Sequence, residues 1–467
     1  MQIYRRKLLI YVILNILCCI TLYAQESYYV SDIVISGNKV TKESIVLREL
    51  DVKKGDSISV SRIEQAITHS KENLLNLPLF NYVDIDYELM QNSDNNIIIS
   101  IRLEERWYYI PLLGIRFADQ NHSAWIRDFD LSRVAVETGA IINNVLGLNH
   151  TLTLGVQFGY QQALNFSYKK ITLDRAQKHF LAAGISMQRS KNIIAMTTDD
   201  MPLKVKSFDQ ALSMGGGGYL SYAYRHNVRV SHNLSLGFEH ERIADTILLI
   251  NPIYWGSPST ERNSFRLQYF FRNDQRDYAA FPLKGYYLRT EGNLYFTHDL
   301  SVRYTQLKGS AQYFWTLGNR WYAGEIFTAG VSLKNTKAYI LDRALSYGEN
   351  VLRGYEYHVV DGQCFALLNS TLRYNLIPQK IIVVDWLSAF PKFNKIHYAF
   401  YAHAFADMGA AFHSYPGPTN YLSNQFLYSA GIGIDMVTYY DVVFTISYFI
   451  NKQVEKGVYF SFKLPIL

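Results

Sequence analysis

The stretch NHTLTLGVQFGY, residues 149–160, alternates without a break. Leu152, Leu154, Val156, Phe158 and Tyr160 fall on one side, and Thr151, Thr153, Gly155, Gln157 and Gly159 on the other. A period of two belongs to a β-strand and is incompatible with a helical stripe. FLYSAGIGIDMV (426–437) repeats the pattern, setting Phe426, Tyr428, Ala430, Ile432, Ile434 and Met436 against Leu427, Ser429, Gly431, Gly433 and Asp435. DVVFTISYFI (441–450) does so again, with Val442, Phe444, Ile446 and Tyr448 on the apolar face. A soluble sandwich would bury its apolar face and dress the other with Lys and Glu. Here the second face is mostly Gly, Ser, Thr and Gln, which suits lipid outside and a wet lumen inside.

Composition agrees. The 467 residues include 37 Tyr, 26 Phe and 6 Trp but only 11 Pro. Beyond the N-terminus no uninterrupted apolar run approaches the ~18 residues of a spanning helix. Residues 107–467, at about 22 residues per tilted strand with its connection, make roughly 16 strands. The expected class is an all-β transmembrane antiparallel β-barrel, which also closes every strand edge inside lipid.

The chain opens MQIYRRKLLIYVILNILCCITLYAQE. Arg5, Arg6 and Lys7, an apolar run to about Tyr23 and Ala24 before Gln25 have the order of a secretory leader, so residues 1–24 are read as a signal peptide. Cys18 and Cys19 leave with it, and only Cys364 remains, so no disulfide staples the mature chain. The 12 histidines form no HExxH pattern, and His397 and His403 read as strand residues; no metal or cofactor is expected. The formal charge of +6 falls to about +3 without the leader, too mild to argue for nucleic acid. The run GGGG (215–218) lacks the GK[ST] of a phosphate loop and reads as a thin-walled strand or turn. No G-x-S-x-G and no Ser/His/Asp grouping stands out, so nothing points to an enzyme.

Residues 25–106 obey a different period. YYVSDIVISGN (28–38) is strand-like, and TKESIVLREL (41–50) is helical after a Thr cap. KKGDSIS turns the chain. SRIEQAITHSKENLL then starts a helix with the capping-box pair Ser61 and Glu64 and lays Ile63, Ala66, Ile67, Ser70 and Leu74 on one face. FNYVDIDYEL (80–89) and NIIISIRLEE (96–105) close a β-α-α-β-β unit.

With its VISGNKVTKESIVLREL, KKGD and NLPLFNYVDI segments, this unit resembles a POTRA domain, the periplasmic module of the BamA/TamA outer-membrane assembly superfamily. Three further stretches resemble that family's surface-antigen barrel in residues 107–467. RNDQRDYAAFPLKGYY (272–287) carries a D-x-R-D…F-P-x-x-G pattern through Asp274, Arg276, Asp277, Phe281, Pro282 and Gly285. VLRGYE (351–356) matches the arginine-glycine signature of a long lumenal loop, through Arg353, Gly354 and Tyr355. FADMGAAF (405–412) matches F-x-D-x-G through Phe405, Asp407 and Gly409. The resemblance implies that Arg353 folds into the lumen and pairs with Asp407, a loop lock. Alternation places Asp407 on the lumenal face independently, because Phe400, Ala402, Ala404 and Ala406 form the bland one. Thr371 departs from the family, where an acid is frequent.

The last segment, GVYFSFKLPIL, resembles a C-terminal recognition strand with Val458, Phe460, Phe462 and Leu464 outward. Pro465 cannot donate to a ladder, so pairing should end near Leu464. The resemblance implies a non-enzymatic assembly or translocation factor in the outer membrane, with its POTRA in the periplasm. Its expected partners are membrane lipids, unfolded or exported client proteins bound through POTRA and barrel seam, and periplasmic or lipoprotein subunits. The alternative is a passive pore or a structural barrel with a POTRA-docked partner.

Overall fold

The computed structural model describes residues 26–90, 95–117, 134–387 and 394–463. The expected leader, and the end of the chain from Leu464 with Pro465, lie outside the described residues.

The N-terminal unit runs β1 (Ser27–Ser36), α1 (Glu43–Leu47), β2 (Ser57–Ser59), α2 (Val60–Leu75), β3 (Phe80–Leu89) and β4 (Asn96–Glu105). Its sheet has the order β2-β1-β4-β3, with β1 and β4 parallel. Ile63, Ile67, Ser70 and Leu74 are buried along α2 as the spacing predicts. Together with Ile45 and Val46 of α1 they cover Val30, Ile97, Ile99 and Ile101. Burying each such side chain contributes about 1.5–3 kcal/mol.

Three local expectations change. SIS at 57–59 is a short edge strand on β1, not part of a turn. That pairing runs directly into α2, so the helix begins at Val60 with Ser59 as its cap residue, and Ser61 is already helical. No side chain caps α2, so the Ser61–Glu64 box does not form. Thr41 does not cap α1 either; its hydroxyl donates to Glu105 Oε1 at 2.7 Å and accepts from Asn144 Nδ2 at 2.8 Å.

The barrel strands follow. The first five are β5 (Tyr109–Phe117), β6 (Val134–Val145), β7 (His150–Gly159), β8 (Gln161–Thr172) and β9 (His179–Ser190). A hairpin of β10 (Asn192–Thr198) and β11 (Met201–Lys206) stands apart from the wall. β12 (Ser213–Arg225) and β13 (Val230–Ile243) lead through the short helix α3 (Asp245–Ile250) to β14 (Glu261–Asp274), β15 (Gly285–Thr297), β16 (Arg303–Gly318) and β17 (Trp321–Lys334). After β18 (Arg343–Leu345) and β19 (Val360–Asp361) in one long loop come β20 (Cys364–Val383), β21 (Lys395–Phe412), β22 (Phe426–Thr438), β23 (Val442–Asn451) and β24 (Lys456–Lys463). Sixteen strands form one sheet, antiparallel throughout, with GGGG inside β12. Leu154, Phe158, Ile432, Ile434, Phe444 and Ile446 are exposed on the outside, where the alternation places them.

Among the described residues full closure is not seen. The sheet order ends on β24 and β5, and among the described residues no register joins them. Both are short, and Pro111 removes one donor from β5.

The longest connections, 191–212, 244–260 and 335–363, lie at one end of the barrel; at the other, the short-connection end, none is longer than 384–394. The N-terminal unit lies across the short-connection end and reaches six of its seven connections or the strand residues bordering them. Lys42 N–H donates to Gly147 O at 3.0 Å. Arg225 meets the fully buried Glu49 at 2.5 Å, Arg229 meets Glu72 at 3.2 Å, and Lys395 meets Glu104 at 3.3 Å. Arg106 donates to both oxygens of Asp441, at 2.7 and 3.0 Å. At the other end, Leu212, Ile243, Ile247, Tyr254, Trp255 and Tyr339 give the long loops a core of their own.

Candidate functional site in the barrel lumen

The loop between β17 and β20 folds inward. Leu345, Leu352, Tyr355 and Val360 pack on Phe365, Leu367, Ala411 and Leu427 of the wall. Leu352 and Tyr355 are buried, so Arg353 and Gly354 between them are carried into the lumen, the arginine with its charge. Arg353 then needs an anion. Its Nε donates to Asp407 Oδ2 at 2.7 Å, Nη2 reaches Oδ1 at 2.5 Å, and its backbone N–H donates to Oδ2 at 3.2 Å. Such forked geometry is the strong form of a carboxylate–guanidinium contact. Nη1 donates to Thr371 Oγ1 at 3.1 Å, so this hydroxyl accepts from the guanidinium. The ring of Phe405 lies 4.1 Å below the guanidinium, a cation–π contact.

Gly354 has φ +88, and a Cβ there would lie 3.0 Å from Ser429 Cβ and 3.2 Å from Phe449 Cδ2. Its carbonyl accepts from Asn451 Nδ2 at 2.9 Å, and the Ser429 hydroxyl donates to Arg353 O. Tyr355 OH donates to Tyr428 O at 3.3 Å. At Gly409 the close neighbour is Leu345 of the loop, whose Cδ1 would be 3.2 Å from an added Cβ. Asn369, Ser429 and Asn451 carry no sequence signal for the loop contact; each is an inward polar position on a strand, indistinguishable from its neighbours without the loop.

The second motif folds as one turn at the opposite end of the lumen. Arg276 forks onto Asp274 at 2.8 and 2.7 Å. Asp277 Oδ1 accepts from the backbone N–H groups of Tyr278, Leu283 and Lys284. Gly285 has φ +99, and a Cβ there would meet Gln275 O at 2.1 Å. Pro282 follows Phe281, which is buried, packs tilted against Tyr401 with ring centroids 4.8 Å apart and lies under Arg373 at 4.7 Å. Arg276, Arg353 and Arg373 line one cavity of about 490 Å³, so loop and turn motifs meet across the lumen.

That cavity also holds an arrangement the sequence did not disclose. His403 Nδ1 is 2.9 Å from Asp435 Oδ2, and its Nε2 is 3.0 Å from Ser447 Oγ. The three residues sit on β21, β22 and β23, so linear spacing could not group them. Asp435 also accepts from Thr445 and lies 3.6 Å from Arg373 Nε. Ser447 sits mid-strand between register partners Gly433 and Tyr459, with its backbone engaged in the sheet rather than on a nucleophile elbow.

On β24, Phe460 and Phe462 point outward, and Phe462 packs on Phe444 with ring centroids 4.6 Å apart. Leu464 lies outside the described residues.

A model of the Omp85 superfamily domain matches residues 144–462, and a POTRA model, the surface antigen variable number repeat, matches residues 28–106. The outer membrane protein assembly factor BamA of Neorickettsia risticii (strain Illinois) is 24% identical over 218 residues, 46% of this chain and 25% of that protein. The aligned part thus spans about a quarter of that relative's length. BamA from Haemophilus ducreyi lacking POTRA domains 1-3 superposes with a TM-score of 0.51 at 15% identity, covering 93% of this chain and 84% of that one. CdiB from Escherichia coli superposes with a TM-score of 0.54 at 13% identity, covering 94% and 76%. At these identities the likeness is one of fold. With the barrel model matching well over half of its length, and a POTRA match ahead of it, this chain belongs to the Omp85 superfamily of outer-membrane β-barrel proteins.

Proposed function

We propose that this protein is an assembly or translocation factor that inserts client polypeptides into the outer membrane, or exports them through it, without covalent chemistry. The observation that carries the reading is the loop folded into the lumen with Arg353 on Asp407. A passive pore gains nothing from a folded loop across its bore, whereas a loop locked to the wall braces a barrel whose edges must part. In this reading Arg353 and Asp407 are the lock, and Gly354 supplies its turn.

Two features support it. β5 and β24 have no register with each other among the described residues. Unpaired strand edges at membrane depth are templates for an incoming strand. The POTRA lies on the periplasmic side in this reading, and its short edge strand β2 offers pairing groups to an extended client or an accessory subunit. The Ser447–His403–Asp435 chain is read as wall structure.

The test follows insertion of an unrelated unfolded barrel protein into liposomes holding wild-type protein, Arg353→Glu or nothing. Acceleration by the wild type that the variant loses is the expected result. No acceleration together with steady ion conductance would replace this reading by a passive pore.

A further inference from the structure

Several cations on the inner face of this barrel come with carboxylates: Arg262 with Glu241 at 2.5 Å, Arg276 with Asp274 at 2.7 Å, Arg289 with Glu291 at 3.0 Å. Lys169, Lys170 and Arg272 do not. Among the described residues none of these three side chains has an ion-pair or hydrogen-bond partner. They line a cavity of about 460 Å³ at the short-connection end, walled by β8, β9, β12, β13 and β14 and roofed by Asn76, Leu77 and Pro78 of the POTRA. Arg48 of the POTRA and Arg225 of β12 also line the cavity. The carboxylate beside them, Glu49, is held by Arg48 at 2.8 Å and Arg225 at 2.5 Å.

The backbone brings the second lysine in. The register of β8 on β9 steps from Tyr168↔Ala183 to Ile171↔Leu181, so Lys169 and Lys170 together face Ala182. Lys170 has φ +63, unusual for a residue with a side chain. A bulge re-aims side chains, and this one turns inward a lysine that a regular strand would direct at lipid. Lys170 is within Coulombic reach of Arg48, Arg272 and Arg225, and of Glu49, whose carboxylate Arg48 and Arg225 already hold. Like charges gathered in a partly enclosed space repel, and an entering anion relieves them.

We infer that this cavity binds an acidic, extended polypeptide segment, whose carboxylates meet Lys169, Lys170 and Arg272 while Phe180 and Tyr219 receive its apolar side chains. The cavity faces the lumen, and the strands β8, β9, β12, β13 and β14 stand between it and lipid, so the tails of a membrane lipid would have to cross that wall. A polypeptide entering beside the POTRA would not. The biological occupant, a client segment, rests on the function proposed above.

The test uses the full chain in lipid nanodiscs and a fluorescein-labelled hexapeptide alternating Asp with Leu, read by anisotropy. The Asp peptide should bind at least tenfold more tightly than its Asn counterpart, and binding should weaken with salt. Combined Lys169→Gln, Lys170→Gln and Arg272→Gln should cost at least tenfold, whereas Arg272→Lys should keep most of the affinity. Equal binding of the two peptides, or an unaffected triple variant, overturns the inference. Displacement by inorganic phosphate or short-chain phosphatidylglycerol at lower concentration than by unlabelled Asp peptide overturns it too, by assigning the site to phosphate. Should the triple variant not fold, the wild type decides: binding that ignores salt refutes the site. Wild-type protein that accelerates client insertion but binds neither peptide would sink the site alone. Peptide binding without acceleration would sink the functional reading alone.

Discussion

Breaking the Arg353–Asp407 contact should release the lumenal loop, and the structure sets the size of the effect. Asp407 is fully buried and takes its donors from Arg353 Nε, Nη2 and N–H and from Asn369 Nδ2. Arg353→Met leaves that carboxylate with the Asn369 donor at 2.7 Å and the loop's own N–H at 3.2 Å. Removing one member of a buried pair costs about 3–5 kcal/mol, because the other charge stays behind. Asp407→Leu leaves the guanidinium with Thr371 Oγ1 and Ser370 O, so it belongs near the lower bound. The double variant strands neither charge, and its loss should fall short of the sum by about 2 kcal/mol or more. Hydrogen exchange at the Tyr355 amide, which donates to Leu352 O at 3.1 Å, reads loop opening in nanodiscs. At about 1.4 kcal/mol per tenfold, each single variant should accelerate that exchange by at least roughly a hundredfold. Single variants that leave exchange unchanged, or a double variant whose loss equals the sum, would refute the reasoning.

Three further outcomes are expected. Gly354→Ala should destabilise the docked loop by about 1–3 kcal/mol, since φ is +88 and Ser429 and Phe449 crowd the new Cβ; chemical denaturation of the vesicle-folded protein would measure it. Burial alone would raise the Glu49 carboxyl, but hydrogen bonds and charges from Arg225 and Arg48 outweigh it and hold it below the ordinary 4.5. An acid with a depressed value contributes above the unfolded range and loses its contribution as pH falls through the folded one. POTRA docking should therefore be constant from neutral pH to about 5 and loosen below about 4. Fluorescence energy transfer from α2 to the turn 226–229 would report it, and an identical acid step in Glu49→Gln would contradict the assignment. Ile434→Arg, on the outer face, should cost about 2–4 kcal/mol in a bilayer. A loss below about 0.5 kcal/mol would mean that this face does not meet lipid.

Alternation over a few residues determined a great deal here. A side-chain period of two sorts every strand residue to one face, so Leu154, Phe158 and Ile432 were placed outside and Asp407 inside before any strand was paired. Local spacing likewise gave the α2 face, because helical period and burial are set by near neighbours. The helix caps depart from the local pattern for a complementary reason. Thr41 and Ser61 have capping chemistry, but β2 pairing on β1 and the Glu105 carboxylate compete for the same segment, and tertiary contacts prevail over a cap worth about 1 kcal/mol.

What the tertiary structure decided is which distant positions meet. His403, Asp435 and Ser447 are bonded only because three strands lie side by side in one register. Lys170 faces the lumen only because a bulge breaks the alternation that would have sent it outward. The ring of contacts between POTRA and barrel joins Glu49 to Arg225 and Arg106 to Asp441, 176 and 335 residues apart in the chain. Periodicity reports the face a residue occupies, since that depends on its own backbone. It carries nothing about strand neighbours, because register and bulges are settled by hydrogen bonding between segments far apart in sequence.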